Sequence, residues 1–99
     1  MATLTNSDTE GTSFFSVTIH TTVSILNSIL GEAQYKASSP VEIVKYCWDC
    51  ETEDDHVFTI YDWMETEIKE DEVYEFHIGA FSESASRTAK KELLNQIKK

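Results

Sequence analysis

Residues 41–64 read VEIVKYCWDCETEDDHVFTIYDWM, and this stretch decides the fold. Val41–Cys50 predicts a strand, with Val44, Tyr46 and Trp48 on one face and Val41, Ile43 and Cys47 on the other. Glu51-Thr52-Glu53-Asp54-Asp55 is an acidic, turn-forming tip. Val57–Met64 predicts the returning strand, with Phe58 and Ile60 on one face and Val57, Tyr61 and Trp63 on the other. Two strands joined by the six polar residues 51–56 make an antiparallel hairpin. Apolar groups on both faces predict central strands covered at least partly on both sides.

Phe14–His20 alternates, with Phe15, Val17 and Ile19 on one face and Ser16 and Thr18 on the other, as in a half-buried strand. Thr21 or Thr22 can then cap a helix of about ten residues, the scale at which tertiary packing must supply stability. Val23, Ile25, Leu26, Ile29 and Leu30 recur at helical spacing, and Gly31 is placed to end it. Glu32–Pro40 predicts a connection with Ser38-Ser39-Pro40 as its turn. Glu65–Asp71 predicts an acidic loop and Glu72–Ile78 a fourth strand, with Tyr74, Phe76 and Ile78 inward and Gly79 as its end. Ser82 or Ser84 caps a last helix. Glu83 suits its positive end and Lys98 and Lys99 its negative end. Ala85, Ala89, Leu93, Leu94 and Ile97 form its apolar stripe. Residues 1–12 are polar and aperiodic and predict a flexible tail, leaving 13–99 as one domain. The expected fold class is α+β: a four-stranded antiparallel sheet with two helices on one face, in the order β-α-β-β-β-α.

The chain has 99 residues, 18 acidic against 8 basic, for a net charge of −10. Its length suits one domain. No apolar run approaches the roughly 18 residues of a membrane span, and the start lacks the basic and apolar blocks of a signal peptide. A cytoplasmic protein with no membrane association is expected. Between Glu42 and Glu75 stand 13 acidic residues and two basic ones, whereas Ser82–Lys99 holds five basic residues and two acidic ones. Such a negative body repels phosphates over roughly 8 Å at physiological salt, so no direct nucleic-acid binding is expected. The expected partner is the basic surface of another protein. The carboxylates expected to meet it are Asp49, Glu51, Glu53, Asp54 and Asp55 in one loop, and Glu65, Glu67, Glu70, Asp71 and Glu72 in the other.

Chemical motifs are sparse. Cys47-Trp48-Asp49-Cys50 is a C-x-x-C, but it ends a strand and runs into carboxylates, which disfavours a reactive thiolate. Zinc held by Cys47, Cys50, His56 and His77 is opposed by strand parity, which sends positions 47 and 50 to opposite faces. A triad of Cys50, His77 and Asp62 lacks a nucleophile elbow. No catalytic residue, metal or cofactor is assigned, and no enzymatic activity is expected. An alternative site lies where Phe76-His77-Ile78-Gly79 leads into the Ser82-capped helix. There Tyr61, Trp63, His77, Gly79, Ser82 and Arg87 could hold a small nucleotide-like ligand through stacking and free backbone N–H groups. A further alternative is a homodimer joined through an exposed sheet edge.

Thr59-Ile60-Tyr61-Asp62-Trp63-Met64 and Phe76-His77-Ile78-Gly79-Ala80, with Leu30-Gly31-Glu32-Ala33 and Cys47-Trp48 before them, carry a resemblance. They resemble an uncharacterised family of small proteins of phages and large DNA viruses. Its pattern runs F-G-x-P, x-W, T-I-Y-D-W-K and W-H-I-G-G, and the likeness spans about residues 14–97. Ala33 stands for the proline, Met64 for the lysine, Phe76 for the tryptophan and Ala80 for the second glycine. That last departure weakens a glycine-loop ligand site. The resemblance implies a viral accessory protein of the kind that binds and blocks a host factor, defence systems included. Separately, the net charge of −10 concentrated in loops 49–55 and 65–72 gives the expectation that these carboxylates imitate phosphates and occupy a nucleic-acid channel of the partner. A sponge for a nucleotide signal and a structural homo-oligomer are the alternatives.

Overall fold

A computed structural model describes residues 1–39, 41–65 and 67–98. Pro40 of the expected turn and Lys99 of the expected helix end lie outside the described residues. The elements are β1 (Thr3–Leu4), β2 (Ser13–Thr21), α1 (Val23–Leu30), β3 (Tyr35–Lys36), β4 (Tyr46–Glu51), β5 (Val57–Tyr61), β6 (Tyr74–Ala80) and α2 (Glu83–Ile97). All pairings are antiparallel, in the order β1-β4-β5-β6-β2, with β3 also on β4. The chain is a small α+β domain whose open sheet has six strands, not the expected four. The four longer strands and two helices follow the expected order. The extra two are dipeptides, too short for any periodicity to announce them.

β1 and β3 lie end to end along the outer edge of β4. Thr3 and Leu4 pair with Glu51 and Cys50, while Tyr35 and Lys36 pair with Cys47 and Tyr46. Between them the Gln34 carboxamide completes the ladder. Its Oε1 accepts from the Asp49 N–H at 3.0 Å, and its Nε2 donates to the Asp49 carbonyl at 2.9 Å. Residues 1–12, read from sequence as a tail, thus contribute a strand, and Ala2 is buried in the core.

Both helices cover one face of the sheet. Trp48 is fully buried there, and its indole N–H donates to Asn27 Oδ1 and to the Gly31 carbonyl at the end of α1. Gly31 is at φ 111°, a region side chains avoid, which is why glycine ends this helix. α1 is capped by Thr22 and α2 by Ser82, each side chain accepting an N–H three residues on. α2 rests on the sheet through Ala85, Ser86, Ala89 and Leu93. Leu94 is turned outward, and Ser86 holds a buried place that its polarity hid. Trp48, Ile60 and Ile78 form a cross-strand row beneath the helices.

Other expectations are corrected. The strand expected over 41–50 starts only at Tyr46, and Val41 and Ile43 are exposed. The reason is Asp62, fully buried, whose carboxylate accepts the N–H groups of Lys45 and Tyr46 and so fixes the entry to β4. Gly79 does not end β6 but lies inside it. The second face of β4 and β5 has no helix over it. β2 carries a bulge between Phe14 and Thr18, with Ser16 at φ 65°.

Candidate functional site

The uncovered face of the sheet is built by register. Tyr35, Cys47, Tyr61, His77 and Thr18 stand opposite one another across five strands. Asp49, Thr59, Gly79 and Phe14 form the next row. Strand alternation places all of them on the side away from Trp48, Ile60 and Ile78.

An aromatic cluster occupies the middle of this face. Phe14 stacks flat on His77, with centroids 4.0 Å apart and planes 7° from parallel. Trp63 lies near-parallel to His77 on a centroid distance of 6.0 Å. Tyr61 meets the His77 ring edge-on at 5.5 Å and Trp63 at 6.3 Å. Gly79 lets this happen. A Cβ there would stand 2.8 Å from Thr59 Oγ1 and 3.5 Å from the Tyr61 ring, so any side chain would push into the cluster's floor. The bulge in β2 spends two extra residues, keeping Phe14 and Thr18 on the same face while the strand bends.

The cluster is open to solvent at its rim. Phe14 is 41% and Trp63 47% exposed, and Met64 beyond them is 68% exposed. Its burial nonetheless lowers the His77 pKa below the ordinary value, against the opposing pull of Glu75. Carboxylates flank it. Glu75 receives the Thr18 hydroxyl and lies 3.5 Å from His20 Nε2, and Asp49 and Glu51 lie on the β4 side. The patch is an aromatic centre between acidic margins.

The expected ligand corner is only half assembled. Tyr61, Trp63, His77 and Gly79 come together, but Ser82 and Arg87 do not join them. The Ser82 hydroxyl is committed to Ala85 N–H, and Arg87 sits on α2, on the helical side of the sheet, paired with Glu83 at 2.7 Å. Phe14 was missed as a member. It shares parity with Ser16 and Thr18, and that shared parity was the available signal.

The ten expected partner-binding carboxylates do not share one surface. Glu53, Asp54 and Asp55 lie in the β4–β5 turn, at one end of the sheet, with Asp49 and Glu51 in β4 leading to it. Glu65, Glu67, Glu70, Asp71 and Glu72 lie in the β5–β6 loop, at the other end, about 16 Å away along a five-residue strand. Some have local work. Asp71 accepts the Ser24 hydroxyl at 2.8 Å, bringing a negative charge to the start of α1, which has no acidic residue of its own there. Glu72 accepts the Tyr74 hydroxyl.

The cysteines divide as parity requires. Cys50 is buried among the core side chains, and burial pushes its thiol pKa up. Cys47 faces the other way, its thiol donating to Asp49, and burial with the Asp49 charge pushes it up to about 12. Both are free thiols. Cys50 and His77 lie on opposite faces of the sheet, so Cys50, His77 and Asp62 do not form a triad. Among the described residues no three His, Cys, Asp or Glu side chains gather as a metal site would require. No described helix is long and apolar enough to cross a membrane.

Compared with protein-family models and with curated proteins, the chain matches none.

Proposed function

We propose that this protein is a binding module whose uncovered sheet face docks onto a basic surface of another protein. The observation that carries the reading is the exposed cluster of Phe14, Trp63, Tyr61 and His77 between the carboxylates of Asp49, Glu51 and Glu75. Aromatic side chains provide large contact area at little entropic cost, and they concentrate interface energy. An arginine of the partner finds a π face and a carboxylate within one side-chain length here. The net charge of −10 speeds the encounter with a basic partner and makes it salt-sensitive.

This reading moves the contact from the two acidic loops to the face between them. The loops remain a negative field at both ends, so imitation of nucleic-acid charge is part of the proposal. The viral setting and the inhibitory outcome rest on the resemblance of Ile60-Tyr61-Asp62-Trp63 and Phe76-His77-Ile78-Gly79 to the phage and large-virus family. The nucleotide alternative loses its cation, because Arg87 is on the other side of the sheet.

The test compares wild-type protein with Phe14→Ala/Trp63→Ala as bait in a bacterial lysate. A protein held by wild type at low salt, released by high salt and lost by the variant supports the proposal. Circular dichroism would check that the variant stays folded. Retention of every captured protein by the folded variant would sink it. Light scattering of the free protein decides the dimer alternative: a doubled mass lost with Trp63→Ala would assign the face to a second copy.

A further inference from the structure

The two edges of the sheet are treated differently. At the β4 edge, β1, Gln34 and β3 together cover the backbone from Tyr46 to Glu51. At the other edge stands β2, nine residues long and paired only with β6. Among the described residues no backbone hydrogen bond from another element reaches its outer side. Unpaired strand groups of this kind accept another strand.

Beside that edge runs a cleft of about 430 Å³ between β2 and α2. Ser16 and Thr18 stand on one wall, and Arg87, Lys90, Lys91 and Lys98 on the other, with the part-exposed Leu94 between them. Four of the chain's eight basic residues thus meet at one place in a molecule of net charge −10. Lys90, Lys91 and Lys98 make no ion pair among the described residues. Bare backbone and concentrated positive charge select the same occupant. A strand laid along Val17–Thr21 would turn alternate side chains toward α2, and the lysines there favour carboxylates in those places.

We infer that the outer edge of β2 takes an extended acidic segment of a partner protein as an added strand, with its carboxylates in the cleft against Arg87, Lys90, Lys91 and Lys98. The bulge at Ser16 limits pairing to the regular part of the strand, from Val17 to Thr21. The surface is separate from the aromatic face and stands without it. The cations also discriminate: they repel a basic strand as they attract an acidic one.

The experiment titrates ¹⁵N-labelled full chain with an acetylated eight-residue peptide alternating Glu and Thr, beside its Lys/Thr counterpart. Saturable shifts in the amides of residues 17–21 and 87–98 are expected with the Glu peptide alone. The β2 amides should also gain exchange protection, and affinity should fall about tenfold or more in Lys90→Glu/Lys91→Glu. Wild type alone can overturn the inference, whether or not that variant folds. No saturable shift at millimolar peptide would overturn it. So would a response confined to the α2 lysines and reproduced by inorganic polyphosphate, which marks an anion surface without strand addition.

Discussion

The Phe14 ring covers the His77 imidazole at 4.0 Å, and this one contact joins a bulged edge strand to the middle of the uncovered face. It takes water from one side of the imidazole, while Trp63 and Tyr61 take it from others. Desolvation disfavours the charged ring, and Glu75 only partly offsets it.

The pH dependence follows from that shift. His77 binds its proton more weakly folded than unfolded, so between the two pKa values the unfolded chain holds more protons. This contribution to stability is present at neutral pH. It is lost as pH falls from the ordinary histidine value near 6.5 through the lower folded one. An NMR titration should find His77 below the ordinary histidine value near 6.5, and Phe14→Ala should move it back up. Thermal melting of His77→Gln should lose the part of the wild-type pH slope that lies just below 6.5. A His77 value at or above the ordinary histidine value would refute the burial argument.

The two tryptophans give opposite expectations. Trp48 is fully buried with its N–H satisfied twice, and Trp48→Ala should cost about 3–5 kcal/mol. Trp63 is 47% exposed, and Trp63→Ala should change stability by only about 0.5 kcal/mol while removing partner binding. Urea unfolding measures both. Acrylamide should quench the emission of Trp48→Phe, which reports Trp63, far more than that of Trp63→Phe.

Asp62 is the fully buried carboxylate that sets where β4 begins. Tyr46 N–H reaches its Oδ1 at 2.7 Å, and Lys45 N–H reaches both oxygens at about 3 Å. Asp62→Ala strands both donors and should cost about 3 kcal/mol, whereas Asp62→Asn keeps one acceptor and should cost about 1 kcal/mol. Equal losses in urea denaturation would mean that the charge, and not the acceptor, matters.

How much was legible from sequence depended on length and phase. Val57–Tyr61 and Tyr74–Ile78 declared their faces because period two survives in five residues. α1 declared its ends because Thr22 and Gly31 carry local chemistry. β1 and β3 could not be read, since a dipeptide has no period and its pairing is decided by the β4 edge it meets. Gly79 looked like a stop, yet it is a place where Thr59 and Tyr61 leave no room for a Cβ. Arg87 was put with His77 because both flank one turn. The rotation of a helix over a sheet, which separates them, is set by packing of Ala85, Ala89 and Leu93.

Gln34 is an exposed side chain that serves as a piece of strand. Asp49 presents an N–H and a carbonyl to the edge of β4, in the gap between β1 and β3, and the carboxamide answers both. Thr5 N–H shares the same carbonyl at 2.9 Å. Gln34→Ala should leave global stability within about 1 kcal/mol, because the Asp49 groups can turn to water. The loss should be local. Hydrogen exchange at the Asp49 amide should accelerate, while Ile60, inside β5, stays protected. Gln34→Glu keeps the acceptor for the Asp49 N–H but removes the donor, so it should fall between the two. An unbridged edge also invites pairing with other chains, so Gln34→Ala should aggregate sooner on concentration. If the Asp49 amide exchanged at the same rate in all three proteins, β1 and β3 would be closing the edge without the side chain.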